Sequence, residues 1–216
     1  MVGSAALVLA VVVAILVQSA RTSSDSAVPR NPAPGTGDAA FAIGPADAPV
    51  TVDVYEDFLC PVCRRFEEQA GGNLDQLVRE GTVQVRYRPI AILDRFSTDD
   101  YSTRALNAAA VVADAAGVEA FLAFHDELFA AQPPEGGPGL SDEELIDLAA
   151  RAGAGGTRVA DGIRDLRFAG WAARVTDQAS REGITGTPTV LVDGAPLADR
   201  SPAGLEAAVR AAASAR

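Results

Sequence analysis

The order of elements legible in this sequence predicts an α/β domain carrying an inserted helical block. Three observations predict it. A β-branched run, Val50-Thr51-Val52-Asp53-Val54-Tyr55, is followed by a helical pattern and a second strand. A long Ala-rich helical stretch comes next. A hairpin signal, Asp193-Gly194 between apolar runs, then leads into a capped final helix.

The chain starts with an uncharged apolar stretch, Val2 to Val17, which ends at Gln18 and Arg21. Its length lies at the short edge of a membrane span, which takes about 17–25 residues. A cleaved signal peptide needs a shorter apolar core and a small residue three positions before the cut. A cut after Ala20 would place Gln18 there. Residues 1–20 therefore read as a membrane anchor, with a cleaved signal and a secreted chain as the alternative. The absence of basic residues before Val2 sits poorly with the positive-inside rule. Residues 21–40, rich in Ser, Pro, Gly and Ala without apolar periodicity, read as a flexible linker.

Residues 41–216 suit one domain. From Pro61 through Arg79 the apolar points Phe66, Leu74, Leu77 and Val78 recur at helical spacing, with Gly81 as the stop. Thr82 to Tyr87 reads as a strand. The helical block runs from about Tyr101 to Arg181, broken at Gly117 and at the loop Pro133 to Gly139. Ser141 and Glu144 form a capping box inside it. Thr189 to Leu197 reads as a hairpin with a two-residue turn. Ser201 as N-cap and Pro202 at the first helical position open the last helix.

Composition excludes several classes of function. Formal net charge is −11, and all 18 basic residues are arginine without a basic cluster, which argues against a nucleic-acid partner. Two cysteines and a single histidine, His125, fall short of a four-ligand Cys/His zinc site. Cysteines placed for stability are usually spaced more widely than Cys60 and Cys63. The pair reads as redox chemistry.

Cys60-Pro61-Val62-Cys63 falls where a strand ends and a helix begins. At a helix N-terminus, free N–H groups and the positive end of the dipole stabilise a thiolate, and such cysteines titrate at roughly 3.5–7.5. Cys63 lies one turn on and can close a disulfide. Pro61 suits the first turn because its missing N–H would have no helical partner. Cys60 is expected to be the exposed sulfur that attacks or is attacked, and Cys63 the buried resolving partner. A local inert disulfide or a soft-metal carrier would use the same spacing.

A second motif lies far along the chain: Gly183-Ile184-Thr185-Gly186-Thr187-Pro188-Thr189. CPxC after a strand, a helical insertion and GTPT before an Asp-Gly hairpin together resemble the DsbA-like branch of the thioredoxin superfamily. The lead-in Ile43 to Val50 and Asp57 match that pattern too. The resemblance covers nearly all of residues 41–212. It implies a thioredoxin-like fold with an all-helical sub-domain inserted at about 94–181. It also implies a cis peptide bond before Pro188 that sets the Thr187 backbone beside the disulfide as a substrate-docking loop.

The implied activity is extracytoplasmic thiol–disulfide exchange, introducing disulfides into exported proteins. No metal and no organic cofactor is implied. A membrane-embedded, quinone-linked thiol oxidase is the implied partner for recycling. Two departures bear on this. The best-known oxidase of the family has histidine where this chain has Val62. Thioredoxin-like proteins often carry a buried carboxylate six residues before the first cysteine, and that position is Val54. Glu56 and Asp57 are the nearest acids and the candidates for a proton relay through a water. On the alternative reading, Asp57 caps the strand–helix junction and Glu56 is solvated. Arg64 and Arg65 read as a solvated helix face, His125 as helix packing, and Trp171 as core of the insertion. The rival functions are a reductase or isomerase of the same fold, and a non-enzymatic thioredoxin-fold binding module.

Overall fold

The structure is a computed structural model that describes residues 27–30 and 39–215. The apolar stretch Val2 to Val17, with its anchor-or-signal reading, lies outside the described residues. No helix among the described residues is long and apolar enough to cross a membrane.

A five-stranded sheet organises the chain, in the order β1-β3-β2-β4-β5. β1 is Phe41–Ile43, β2 Val50–Glu56, β3 Val83–Pro89, β4 Thr189–Val192 and β5 Ala195–Pro196. β2 and β3 are parallel, with Val54 opposite Tyr87. β1 runs antiparallel to β3, and β4 runs antiparallel to both β2 and β5. A parallel pair needs a crossover connection. Here it is α1 (Pro61–Phe66), a π-helical segment Glu67–Gly71, and α2 (Gly72–Arg79). The sequence pattern predicted this stretch as one unbroken helix. The π segment, one of the insertions found mostly at functional sites, leaves no mark in apolar spacing.

β1, only three residues long, carries too little alternation to be legible in the sequence. It completes the sheet edge beside β3. Gly44 ends it at φ +100°, where a Cβ would come within 2.8 Å of the Val83 carbonyl, so only glycine fits the turn.

Between β3 and β4 runs the all-helical insertion. It consists of a 3₁₀ turn (Asp94–Phe96), α3 (Tyr101–Ala116), α4 (Val118–Ala130), α5 (Asp142–Arg151), α6 (Thr157–Arg164) and α7 (Ala169–Arg181). The capping box at Ser141 and Glu144 is present with both bonds made. The Asp193-Gly194 turn has both residues at positive φ, as a two-residue hairpin requires. Ser201 caps the last helix, α8 (Pro202–Ser214).

Sheet and insertion share one core. Phe41 of β1 stacks on Phe121 of α4 at 4.1 Å and meets Trp171 of α7 at 5.8 Å. The edge strand thereby ties the insertion to the sheet. Within the stretch read as a linker, Arg30 is held by Asp114 of α3, donating through its backbone N–H and its guanidinium.

Candidate active site

Cys60 is the N-cap of α1, with extended backbone (φ −73°, ψ 114°), and its sulfur accepts the Cys63 N–H at 3.4 Å. Pro61 follows at the first helical position. Both cysteines are free thiols. Cys60 is 5% exposed and Cys63 1%, so Cys60 is the more accessible sulfur without standing clear of the surface. The cover is the loop before β4: the Thr187–Pro188 peptide is cis, and the Cys60 thiol donates to the Thr187 carbonyl at 3.4 Å. The Pro188 carbonyl is in turn held by the Arg200 guanidinium. Beside the pair, Val62 presents an apolar side chain to solvent.

The electrostatics separate the two sulfurs. The Cys63 thiol donating to the Cys60 sulfur is the largest influence on Cys60. Burial opposes it, and the Thr187 side chain with the Cys63 and Val62 N–H groups assists. Cys60 is held down at about 6 as a result. Burial, reinforced by the neighbouring Cys60 sulfur, pushes the Cys63 thiol far above the ordinary range. One sulfur is a thiolate near neutrality; the other holds its proton. This is the division of labour that exchange needs, because the thiolate attacks and leaves while the second thiol waits.

The loop before Cys60 is fixed from two sides. Asp57 is wholly buried. Its Oδ1 accepts the Leu59 N–H (2.9 Å) and the Ser102 hydroxyl (2.7 Å); its Oδ2 accepts the Ile92 and Leu93 N–H groups (2.9 and 3.0 Å). Burial pushes its carboxyl up to about 7 against these four donors. Asp57 thus caps the strand–helix junction and also clamps the β3–α3 connection to it. From the other side, Gln132, just past α4, donates to the Phe58 and Cys60 carbonyls at 2.9 and 3.0 Å.

Glu56 is 0% exposed, so the reading of it as a solvated acid is corrected: its side chain turns inward against His125 of α4, 2.9 Å away. A carboxylate at the last position of β2 falls on the side of the sheet that the insertion covers, where alternation alone puts it in the core. Arg64 lies on the solvent side of α1 and pairs with Glu68.

Sequence reasoning missed Gln132, Ser102 and Arg200. Each contacts the site through a single polar group from a distant element. None lies in a recognisable motif.

A family model described as thioredoxin matches residues 36–211. The chain belongs to the thioredoxin family. Within it, DsbA from Mycobacterium tuberculosis in oxidised form is 35% identical, with a TM-score of 0.71, over 81% of this chain and 92% of that one. A reduced disulfide-bond oxidoreductase, DsbG of the same organism, is also 35% identical, with a TM-score of 0.72, over 83% and 88%. This thioredoxin-family chain is therefore a DsbA-like thiol–disulfide oxidoreductase. A curated relative, the serine/threonine-protein kinase PknE of M. tuberculosis, is 32% identical over 121 residues. That match takes in 54% of this chain, which spans only 21% of the kinase's length.

Proposed function

We propose that this oxidoreductase works as an oxidant: its Cys60–Cys63 disulfide is donated to thiols of exported proteins outside the cytoplasm. The observation that carries the direction is the stabilised thiolate at Cys60. A disulfide gains oxidising power when its reduced form is stabilised, and here the reduced form holds an anion at a helix N-cap with a thiol and backbone N–H groups donating to it.

A substrate thiolate attacks the Cys60 sulfur, the Cys60–Cys63 bond breaks, and the electron pair leaves on Cys63, which takes up a proton. A second substrate thiolate then attacks the substrate sulfur of the mixed disulfide. The substrate leaves oxidised, and Cys60 leaves as its stabilised thiolate. Thr187, whose carbonyl faces Cys60, supplies a backbone edge for an extended substrate segment, and Pro188 holds that edge in place. Of the two nearby acids, Glu56 is the one whose charge bears on the Cys63 thiol. The reduced enzyme is returned to the disulfide by a membrane-embedded, quinone-linked thiol oxidase, and the apolar stretch Val2 to Val17 keeps the domain at that membrane.

The DsbG likeness equals the DsbA likeness in identity, and the reduction potential tests the direction. Equilibration with glutathione buffers gives the reduction potential. A value above about −200 mV supports oxidation; a value near thioredoxin's, about −270 mV, would assign the protein to reduction.

A further inference from the structure

Behind the active-site loop, three ionisable side chains from three elements converge. Glu56 ends β2, Glu67 opens the π segment after α1, and His125 lies in α4. One ligand atom from each lies within 4.8 Å of the other two. Glu56 Oε1 and His125 Nε2 pair at 2.9 Å, and among the described residues the buried side-chain atoms that remain without a partner are Glu56 Oε2, Glu67 Oε1 and the Tyr101 hydroxyl. All but the last belong to this cluster. Native proteins leave few such atoms, and an ion is one of the ordinary reasons for a group of them.

We infer that Glu56, Glu67 and His125 form a binding site for one divalent transition-metal ion of the zinc class. The donor set suits it: imidazole nitrogen and carboxylate oxygen are ordinary zinc ligands, and Glu56 has two oxygens to complete four-coordination. The charge also closes, since two carboxylates and a neutral imidazole around a dication sum to zero. His125 is further prepared by its second nitrogen, Nδ1, which lies 3.2 Å from Asp126 Oδ1. A carboxylate on the far nitrogen fixes the tautomer that turns Nε2 toward a metal. Tyr87, Phe129 and Phe58 enclose the ring, at 4.6, 5.0 and 6.0 Å between centroids, which gives the cluster an apolar wall. Glu67 is the one of the three with solvent-exposed atoms, and it marks the side from which an ion enters. Glu67 reaches this place from the first position of the π segment. A bound ion would staple the insertion to the sheet directly behind Cys60.

Counting cysteines and histidines leads to the expectation of no metal. That count does not register two glutamates brought to one histidine from 58 and 69 residues away.

The test uses the whole chain with its disulfide closed, so that thiols cannot bind the probe. Zinc(II) alone is added, excess is dialysed away, and metal content and melting temperature are measured. One zinc per chain, with a raised melting temperature, is expected. Glu67→Gln, nearly isosteric, should retain none, and Asp126→Asn, at an exposed position, should bind about 10–100-fold more weakly. Cobalt(II) on the unaltered oxidised chain provides a reading independent of variants: visible bands of nitrogen–oxygen coordination without sulfur charge transfer. Absence of stoichiometric metal would overturn the proposal and leave the cluster neutralised by protons. Equal retention by Glu67→Gln would overturn it as well.

Discussion

Replacing Cys63 with alanine isolates the largest single influence on the reactive sulfur. Cys60 is held at about 6 chiefly by the Cys63 thiol, with backbone N–H groups and the Thr187 side chain helping and burial opposing. A hydrogen bond to a charged group is worth about 1.5–3 kcal/mol, or roughly 1–2 pKa units. A thiol is a weak donor, so the lower end applies. Cys63→Ala should therefore move Cys60 to about 7, short of an ordinary thiol, because the N-cap donors remain. At pH 7 the thiolate fraction would fall from about nine-tenths to about one-half. Cys63→Ser keeps a donor in the same place and should leave the inflection near its original value. The pH dependence of alkylation by iodoacetamide reads both variants, with thiolate ultraviolet absorbance as a check. Alanine and serine variants that titrate alike would refute the reasoning, as would an alanine variant still titrating near 6.

Two further substitutions test what holds the loop. Asp57→Ala strands four donors, the Leu59 N–H and Ser102 hydroxyl buried and the Ile92 and Leu93 N–H groups half-buried, and should destabilise the reduced chain by about 2–4 kcal/mol in denaturant titration. A loss under 1 kcal/mol would mean that water or a shifted loop replaces the carboxylate. Gln132→Ala removes two bonds to the Phe58 and Cys60 carbonyls, should cost about 1–2 kcal/mol, and should slow exchange with a model peptide disulfide. Unchanged rate and stability would show that Asp57 fixes the loop alone.

Much of this was legible in the sequence because it depends on local chemistry. The Val50 to Tyr55 alternation, the Ser141–Glu144 box, the Asp193-Gly194 turn and the Ser201-Pro202 start are each decided within a few residues. Each element appears in the structure. The cysteine pair and the Thr187-Pro188 loop are legible as motifs, and the fold brings them together across 127 positions. What the sequence hid depends on long-range packing. Glu56 shares the face of Val50, Val52 and Val54 in β2, but the partners that bury it, His125 and an aromatic wall, come from the distant insertion. Gln132 reads as an ordinary loop residue until its amide meets two carbonyls of the active-site loop. The π segment at Glu67–Gly71 changes hydrogen-bond register without changing composition.

The central claim is that Cys60 is the sulfur that exchanges and Cys63 the one that resolves. Trapping tests it most directly, with Cys63→Ala and Cys60→Ala each incubated with a thiol peptide activated as a mixed disulfide. The account predicts a stable enzyme–peptide disulfide that accumulates on Cys60 in the first variant and forms far more slowly on Cys63 in the second. Comparable trapping on Cys63, or none on Cys60, would contradict it.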